Sequence, residues 1–509
     1  MLNPWGAGGK TARGCARGFR PLPMRACRPA GPIAKRLPRA WSCRFPERRF
    51  ILLGAGLFLC AEANVYNTAL VQDVRKATGR EMKRVCVIDI AGADMALVRR
   101  DRELWVNSLP SAPRPMLATF PAVPASVQAS LTTGVEPGVH GVVGGGLYRR
   151  ESRTLSLDER SNTLLSRKRF WHSRHLPQRP KVAMVFWCNS LAGAADVALG
   201  TPTYGASSCE LVGQPMELYA ELAAAVGGYD PGLCHGPWAS WAASAWIALA
   251  AEGIWRRHRP DLQWVHLPGV DFEAVRHGLG SPQVFEAMRV VDLLARRLAD
   301  AVAAGGGETL VLSDGGYVPV GRAGLPNLRL RRAGLLKVVR TDGGEAIDLH
   351  NSRAFAMVDH QVAHLFCADA SAAEDAAAAL RDDPAVAAVA AREELFCQGA
   401  GRQRAGERIA LAAGDAWFSY RWWSDEAEAP DVAFRADVQG KCGYDPCEFF
   451  PGSGPGRIDP DPARVRASRG LVGPGAAGQC LLAATCGLPV DATVKATDVP
   501  EIVRGVMFG

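Results

Sequence analysis

From Met82 onward the chain alternates short apolar runs with longer stretches whose apolar residues recur every three or four positions. Val85 to Ile88, Lys181 to Trp187, Gln263 to Leu267 and Thr309 to Leu312 are runs of strand length without regular polar alternation. Strands covered on both faces read this way. Between them, residues 238–257 form a Trp- and Ala-rich helical segment. Met288, Val291, Leu294, Leu298 and Val302 mark one face of another helix, which Gly305 to Gly307 stop. Strands alternating with helices predict a mostly parallel sheet flanked by helices. Three strands end in or just before an aspartate: Asp89, Asp271 and Asp314. Ligands of open α/β sheets bind outside the carboxyl ends of the strands. Each aspartate alone serves equally well as the N-cap of a following helix. Gathered on one rim they would repel strongly unless a cation sat among them, so the set points to a metal.

Residues 320–450 change character. Leu325 to Leu336 reads as a helix, and the strand-like segments Ala354 to Val358 and Ala363 to Cys367 flank Asp359-His360-Gln361. An alanine-rich helix follows, then the aromatic run Trp417 to Trp423. Such a run either stacks on a base or sugar or packs as a strand on its neighbours. The core is read as 82–320 and 451–509, with 321–450 as an inserted cap; Pro451 to Gly478 is a Pro/Gly-rich loop.

The length of 509 residues exceeds one core, in keeping with two domains or one large α/β domain with a cap. Charge is unevenly spread. Residues 1–81 hold fifteen Lys/Arg and four Asp/Glu, a net +11, so residues 82–509 carry −3 of the whole-chain +8. A mildly acidic folded part argues against a nucleic-acid partner. The leader lacks the serines of a transit peptide. Arg48-Arg49, the apolar run Ile51 to Ala61 and Ala61-Glu62-Ala63 imitate a secretory signal; the run is too short to span a membrane stably. Met82-Lys83-Arg84 stands directly before the first strand, so residues 1–81 are read as a disordered leader or as no part of the native chain. A cytoplasmic protein is then expected, or an exported one if segment 48–63 is a real signal. Fourteen cysteines without a CxxC read as reduced and mostly buried.

The stretch Phe120 to Tyr148, FPAVPASVQASLTTGVEPGVHGVVGGGLY, combines small residues, a helical run and a glycine triplet. It reads either as an anion cradle at a helix N-terminus or as a glycine-rich connection. Through Phe120-Pro121, Thr133-Gly134 and His140-Gly141 it resembles the nucleophile segment of the type I phosphodiesterase / nucleotide pyrophosphatase family, within the alkaline phosphatase superfamily. The resemblance runs from about Met82 to the C-terminus. Ala354 to Phe366, Asp415 to Trp422 and Gly443-Tyr444-Asp445-Pro446 are similar to segments of a divergent branch. It implies an alkaline-phosphatase-like α/β fold, a mostly parallel sheet flanked by helices, with an inserted α+β cap.

In the family this resembles, two metal ions flank the nucleophile and clamp an in-line displacement. The resemblance places Asp89, the nucleophile position Pro124 and Asp314-Gly315 at one ion, and Asp271, Val275 and Ala496-Thr497-Asp498 at the other. Proline has no hydroxyl to attack phosphorus, which leaves Ser126 or water as the attacking oxygen. Each imidazole of the family's ligand set is replaced, and Asp89, Asp271, Asp314 and Asp498 remain as metal ligands. An all-oxygen set favours Mg or Mn over Zn, with one ion, two or none. His140 and His360 are the substrate-side histidines. A metal-dependent phosphodiesterase/nucleotide-pyrophosphatase-type hydrolase with a reduced metal site is therefore expected. The alternative is a catalytically dead relative that binds a phosphorylated metabolite or a partner protein. Expected partners are a small phosphorylated substrate, with no nucleic acid and no stable membrane span.

Overall fold

The apolar runs pair into a nine-stranded sheet in a computed structural model, which describes residues 82–201, 211–472, 479–488 and 493–509. The basic leader lies outside the described residues. In chain order the strands are β1 (Arg84–Ile90), β2 (Ser111–Leu117), β3 (Val182–Val185), β4 (Val197–Gly200), β5 (Val212–Gln214), β6 (Leu262–Leu267) and β7 (Gly307–Leu312). A second sheet supplies β8 (Ala354–Asp359), β9 (Val362–Cys367), β10 (Val386–Ala391) and β11 (Arg408–Ala412). Then β12 (Cys480–Ala484) and β13 (Val494–Lys495) return to the first. The order across the first sheet is β13-β2-β12-β7-β1-β6-β3-β4-β5. Pairing there is mostly parallel; β12 runs antiparallel to both its neighbours, and β5 antiparallel to β4.

Two layers of helices explain why Val85 to Ile88 of β1 are all apolar. Cys86, Ile88 and Ile90 point to a cluster that also holds side chains of α2 (Trp241–His258), α3 (Val270–His277) and α4 (Pro282–Ala304). Val85 and Val87 point the other way, to a cluster containing Val127 and Leu131 of α1 (Pro124–Thr133) and Val503 of α6 (Val499–Phe508). Period two sends neighbouring side chains to opposite faces, and both faces are covered. Each fully buried Val, Leu or Ile contributes about 1.5–3 kcal/mol relative to exposure.

The second sheet is antiparallel, in the order β8-β9-β11-β10, and packs against α5 (Ala370–Leu380). The aromatic run turns inward: Ala416–Phe418 is a short strand, and Tyr420, Trp422 and Trp423 are buried in this core. The helix expected over Leu325 to Leu336 is shorter, Pro326–Arg332, because Gly334 adopts a left-handed conformation. Next to residues 442–444, which pair along the edge of β8, lies an internal ion cluster. Lys441 Nζ, fully buried, donates to Asp445 Oδ2 and Glu448 Oε1, each at 2.7 Å. No described helix is long and apolar enough to cross a membrane.

Candidate functional site

The strand period that builds the core also delivers the site. Leu262 and Trp264 of β6 and Leu310 and Leu312 of β7 share the face of Val85 and Val87 that α1 covers. Counting on by two in each strand reaches His266, Asp314 and Asp89. Register aligns them: Asp89 stands opposite His266 across β1 and β6, and opposite Leu312 across β1 and β7. Asp89 Oδ2 lies 2.7 Å from His266 Nδ1, which is 4.0 Å from Asp314 Oδ2. The Asp314 backbone N–H donates to Asp89 Oδ1 at 2.9 Å. Asp271 joins from the first turn of α3, beside Gly92. Gly92 has φ +81°, and a Cβ there would stand 2.7 Å from the Asp271 backbone nitrogen, so only glycine lets the two segments approach. The three strand-end aspartates thus meet on one rim. His266 corrects the expectation of an all-oxygen set.

Electrostatics follow from burial. Desolvation, with Asp314 adding repulsion, pushes Asp89 up to about 7 against the pull of His266 and Arg469. For His266, burial opposes the charge, but the hydrogen bond and charge of Asp89 outweigh it, with Asp314 and Asp271 assisting, and its pKa rises.

Two residues that sequence reasoning missed complete the group. Gln128, fully buried on α1, accepts at Oε1 from the Cys188 backbone N–H at 2.8 Å. That bond fixes the amide's orientation and turns Nε2 to the carboxylates. Nε2 lies 3.1 Å from Asp89 Oδ2, 2.9 Å from Asp314 Oδ2 and 3.0 Å from His266 Nδ1. Arg469, 3% exposed, donates from Nη1 to Asp314 Oδ1 at 2.9 Å and places Nη2 3.9 Å from Asp271 Oδ2. Asp89, His266 and Asp314 do bring three ligand-type atoms within 4.8 Å of one another. A cation shared by them would stand roughly 2.0–2.6 Å from each. The Gln128 amide nitrogen already occupies that space. As arranged, these residues do not fit a divalent ion.

Residues 105–445 match the family model described as type I phosphodiesterase / nucleotide pyrophosphatase, more than half of the chain. The chain belongs to this family. Two solved structures share its fold. Phosphonoacetate hydrolase from Sinorhizobium meliloti, in complex with phosphonoformate, superposes with TM-score 0.55 at 16% identity, covering 84% of this chain and 98% of that one. Murine ectonucleotide pyrophosphatase / phosphodiesterase 5 does so with TM-score 0.53 at 11% identity, covering 84% and 95%. No curated relative matches in sequence.

In this phosphodiesterase-family chain the rim opens into a cavity of about 200 Å³. Arg160, His235, Asp271 and Arg469 are among its polar lining residues, and Leu157, Met357, Val438 and Phe449 among its apolar ones. Pro124 and Ala125 face it from the start of α1. Ser126 does not: the helix has begun at Pro124, and the serine hydroxyl is buried without a protein hydrogen-bond partner. His140 is buried away from the cavity, with Nε2 2.9 Å from Ser130 Oγ and Nδ1 accepting from the Val142 N–H at 3.1 Å. Burial first, then Arg169, lowers its pKa to about 3, so it is neutral. His360 does line the cavity, stacked on Tyr444 at 4.1 Å. Asp498 is exposed and accepts from the Lys495 backbone N–H at 2.9 Å; it is not brought to the rim group.

The glycine triplet serves close packing. A Cβ on Gly146 would come within 2.5 Å of Met357 Sδ and 2.6 Å of Leu157 Cδ2. The Gly145 N–H donates to Asp359 Oδ2 at 2.8 Å. Burial lifts Asp359 to about 6, partly offset by that N–H and by Arg469. A carboxyl raised in the fold keeps a proton that the unfolded chain releases, so its contribution falls as pH rises from about 4 to 6. Asparagine retains the acceptor for Gly145 without the charge. Asp359→Asn should therefore gain on the order of 2 kcal/mol over wild type above pH 7 and nothing at pH 4. Urea unfolding at both pH values reads this; an equal gain at both would assign it to something other than ionisation.

Proposed function

We propose that the chain hydrolyses a small phosphate ester in this cavity, with the phosphate beside Arg160 and Arg469 and the ester group against Leu157, Met357 and Val438. The observation that carries this is the arginine-bearing cavity at the carboxyl ends of the strands in a chain of this family. Both arginines already pair with carboxylates, Arg469 with Asp314 and Asp271 and Arg160 with Asp158, so a phosphate would be held by their further N–H donors. With proline at position 124, the attacking oxygen comes from water. Asp271 and Asp359 face the cavity and supply carboxylates to orient that water. The expected Mg- or Mn-type ion is not needed to neutralise the rim, where Arg469 supplies a cation to Asp314 and Asp271.

The test is turnover of bis-p-nitrophenyl phosphate and p-nitrophenyl phosphate. Wild type should cleave at least one. Ser126→Ala should stay within about tenfold, roughly 1.4 kcal/mol of barrier, since that hydroxyl does not reach the cavity. Asp271→Asn should lose at least 100-fold, about 2.7 kcal/mol. A phosphoserine trapped at Ser126 would refute the water route. A second reading, binding without turnover, is favoured by Pro124 and by the amide among Asp89, His266 and Asp314. It predicts that wild type cleaves neither ester yet is stabilised against heat by phosphate monoesters.

A further inference from the structure

We infer that the chain carries its cation internally: the Gln128 amide and the Arg469 guanidinium fill the strand-end rim, and the Asp89–His266–Asp314 group takes up no divalent ion. This concerns the proposed cavity but rests on geometry rather than on turnover. The amide nitrogen stands about equally far from all three donor atoms, at 2.9, 3.0 and 3.1 Å. It cannot swing aside cheaply. Gln128 sits inside a buried helix, and moving its carboxamide would leave the Cys188 N–H without its acceptor.

Arg469 is equally fixed. Its carbonyl accepts from the Gln361 N–H at 2.9 Å, and the Gly470 carbonyl accepts from the Ala122 N–H at 2.9 Å. The surroundings are fitted to it. A Cβ on Gly315 would lie 3.5 Å from Arg469 Nη1 and 3.3 Å from the Ala122 carbonyl oxygen, so a larger side chain there would compete with the guanidinium. The same segment covers Val275, whose carbonyl accepts from the Arg466 N–H at 2.9 Å. Gly315 and Val275 are two of the three positions at which the family resemblance expects histidine ligands, the third lying at 496–498. One segment, 466–469, therefore packs against both.

The experiment counts metal on the full chain. After chelation, the protein is equilibrated with Mg²⁺, Mn²⁺ or Zn²⁺ singly, desalted, and measured by inductively coupled plasma mass spectrometry. Wild type should retain well under one ion per chain, and its melting temperature should be unmoved by the metal or by chelator. Uptake that persists unchanged in Asp89→Asn lies elsewhere and agrees with the inference. One ion per chain in wild type, lost in both Asp89→Asn and Asp314→Asn, overturns it. Gln128→Glu keeps the shape but replaces the donor by an acceptor; it should bind one Mn²⁺ per chain and melt higher with it. A folded Gln128→Glu that binds none would remove the amide from its assigned role. If that variant does not fold, Gln128→Ala takes its place, and the wild-type count decides in either case. Failure of the ester assay would leave these metal counts unaffected, so the two claims fall separately.

Discussion

Arg469→Ala is expected to lose about 3–5 kcal/mol of folding stability, because it strips the partner from buried carboxylates rather than from a surface pair. Asp314 has no exposed surface and receives the Nη1 donor at 2.9 Å; Asp271, 13% exposed, lies 3.9 Å from Nη2. The guanidinium also lies 4.9 Å above the Tyr317 ring, so truncation loses packing as well as charge. Arg469→Lys restores a positive charge without the fork and should fall between wild type and alanine. Equilibrium urea unfolding measures both. An alanine variant within about 1 kcal/mol of wild type, the cost of an exposed pair, would mean that the carboxylates do not depend on this residue.

The second large effect lies beside the edge of the other sheet. Lys441→Met should likewise lose about 3–5 kcal/mol, since Asp445 and Glu448 would keep their burial and lose their only shared cation among the described contacts. Burial already holds Glu448 up at about 7, with Lys441 pulling it down. The control is Lys441→Met combined with Asp445→Asn and Glu448→Gln, which removes both signs together. Asparagine can still accept the Cys447 N–H that Asp445 Oδ1 accepts at 3.0 Å. Most of the lost stability should return in the triple variant. A triple variant as unstable as Lys441→Met alone would show that shape, not charge, sets the cost.

The sheet and its rim were legible because the rule that makes a strand buried on both faces also ends it at the ligand edge. Asp89, Asp271 and Asp314 could be read from where apolar runs stop. His266 was written in the same code, two residues past Trp264, yet a histidine inside an apolar run becomes informative only when register sets it opposite Asp89. Gln128 was hidden for a related reason: a polar residue in an otherwise buried helix shows its role only through partners on three strands or loops. Arg469 was not legible at all. It sits in a Pro/Gly-rich loop without periodicity, and its partners lie more than 150 positions away in sequence. Ser126 was drawn into the site by proximity to Pro124, and the helix that starts at this proline carries it out of reach.

The placement of β12 has a bearing on how the molecule is made. This strand, Cys480–Ala484, is the one that joins β2 to β7, so those two strands are not linked through the sheet until it has been synthesised. During that interval Thr309 to Leu312 presents an apolar strand with one side unpaired, the kind of edge that recruits other chains. Closing it requires contacts between residues far apart in sequence, which form slowly. A nascent chain that has not yet reached Cys480 therefore carries this edge open to other chains.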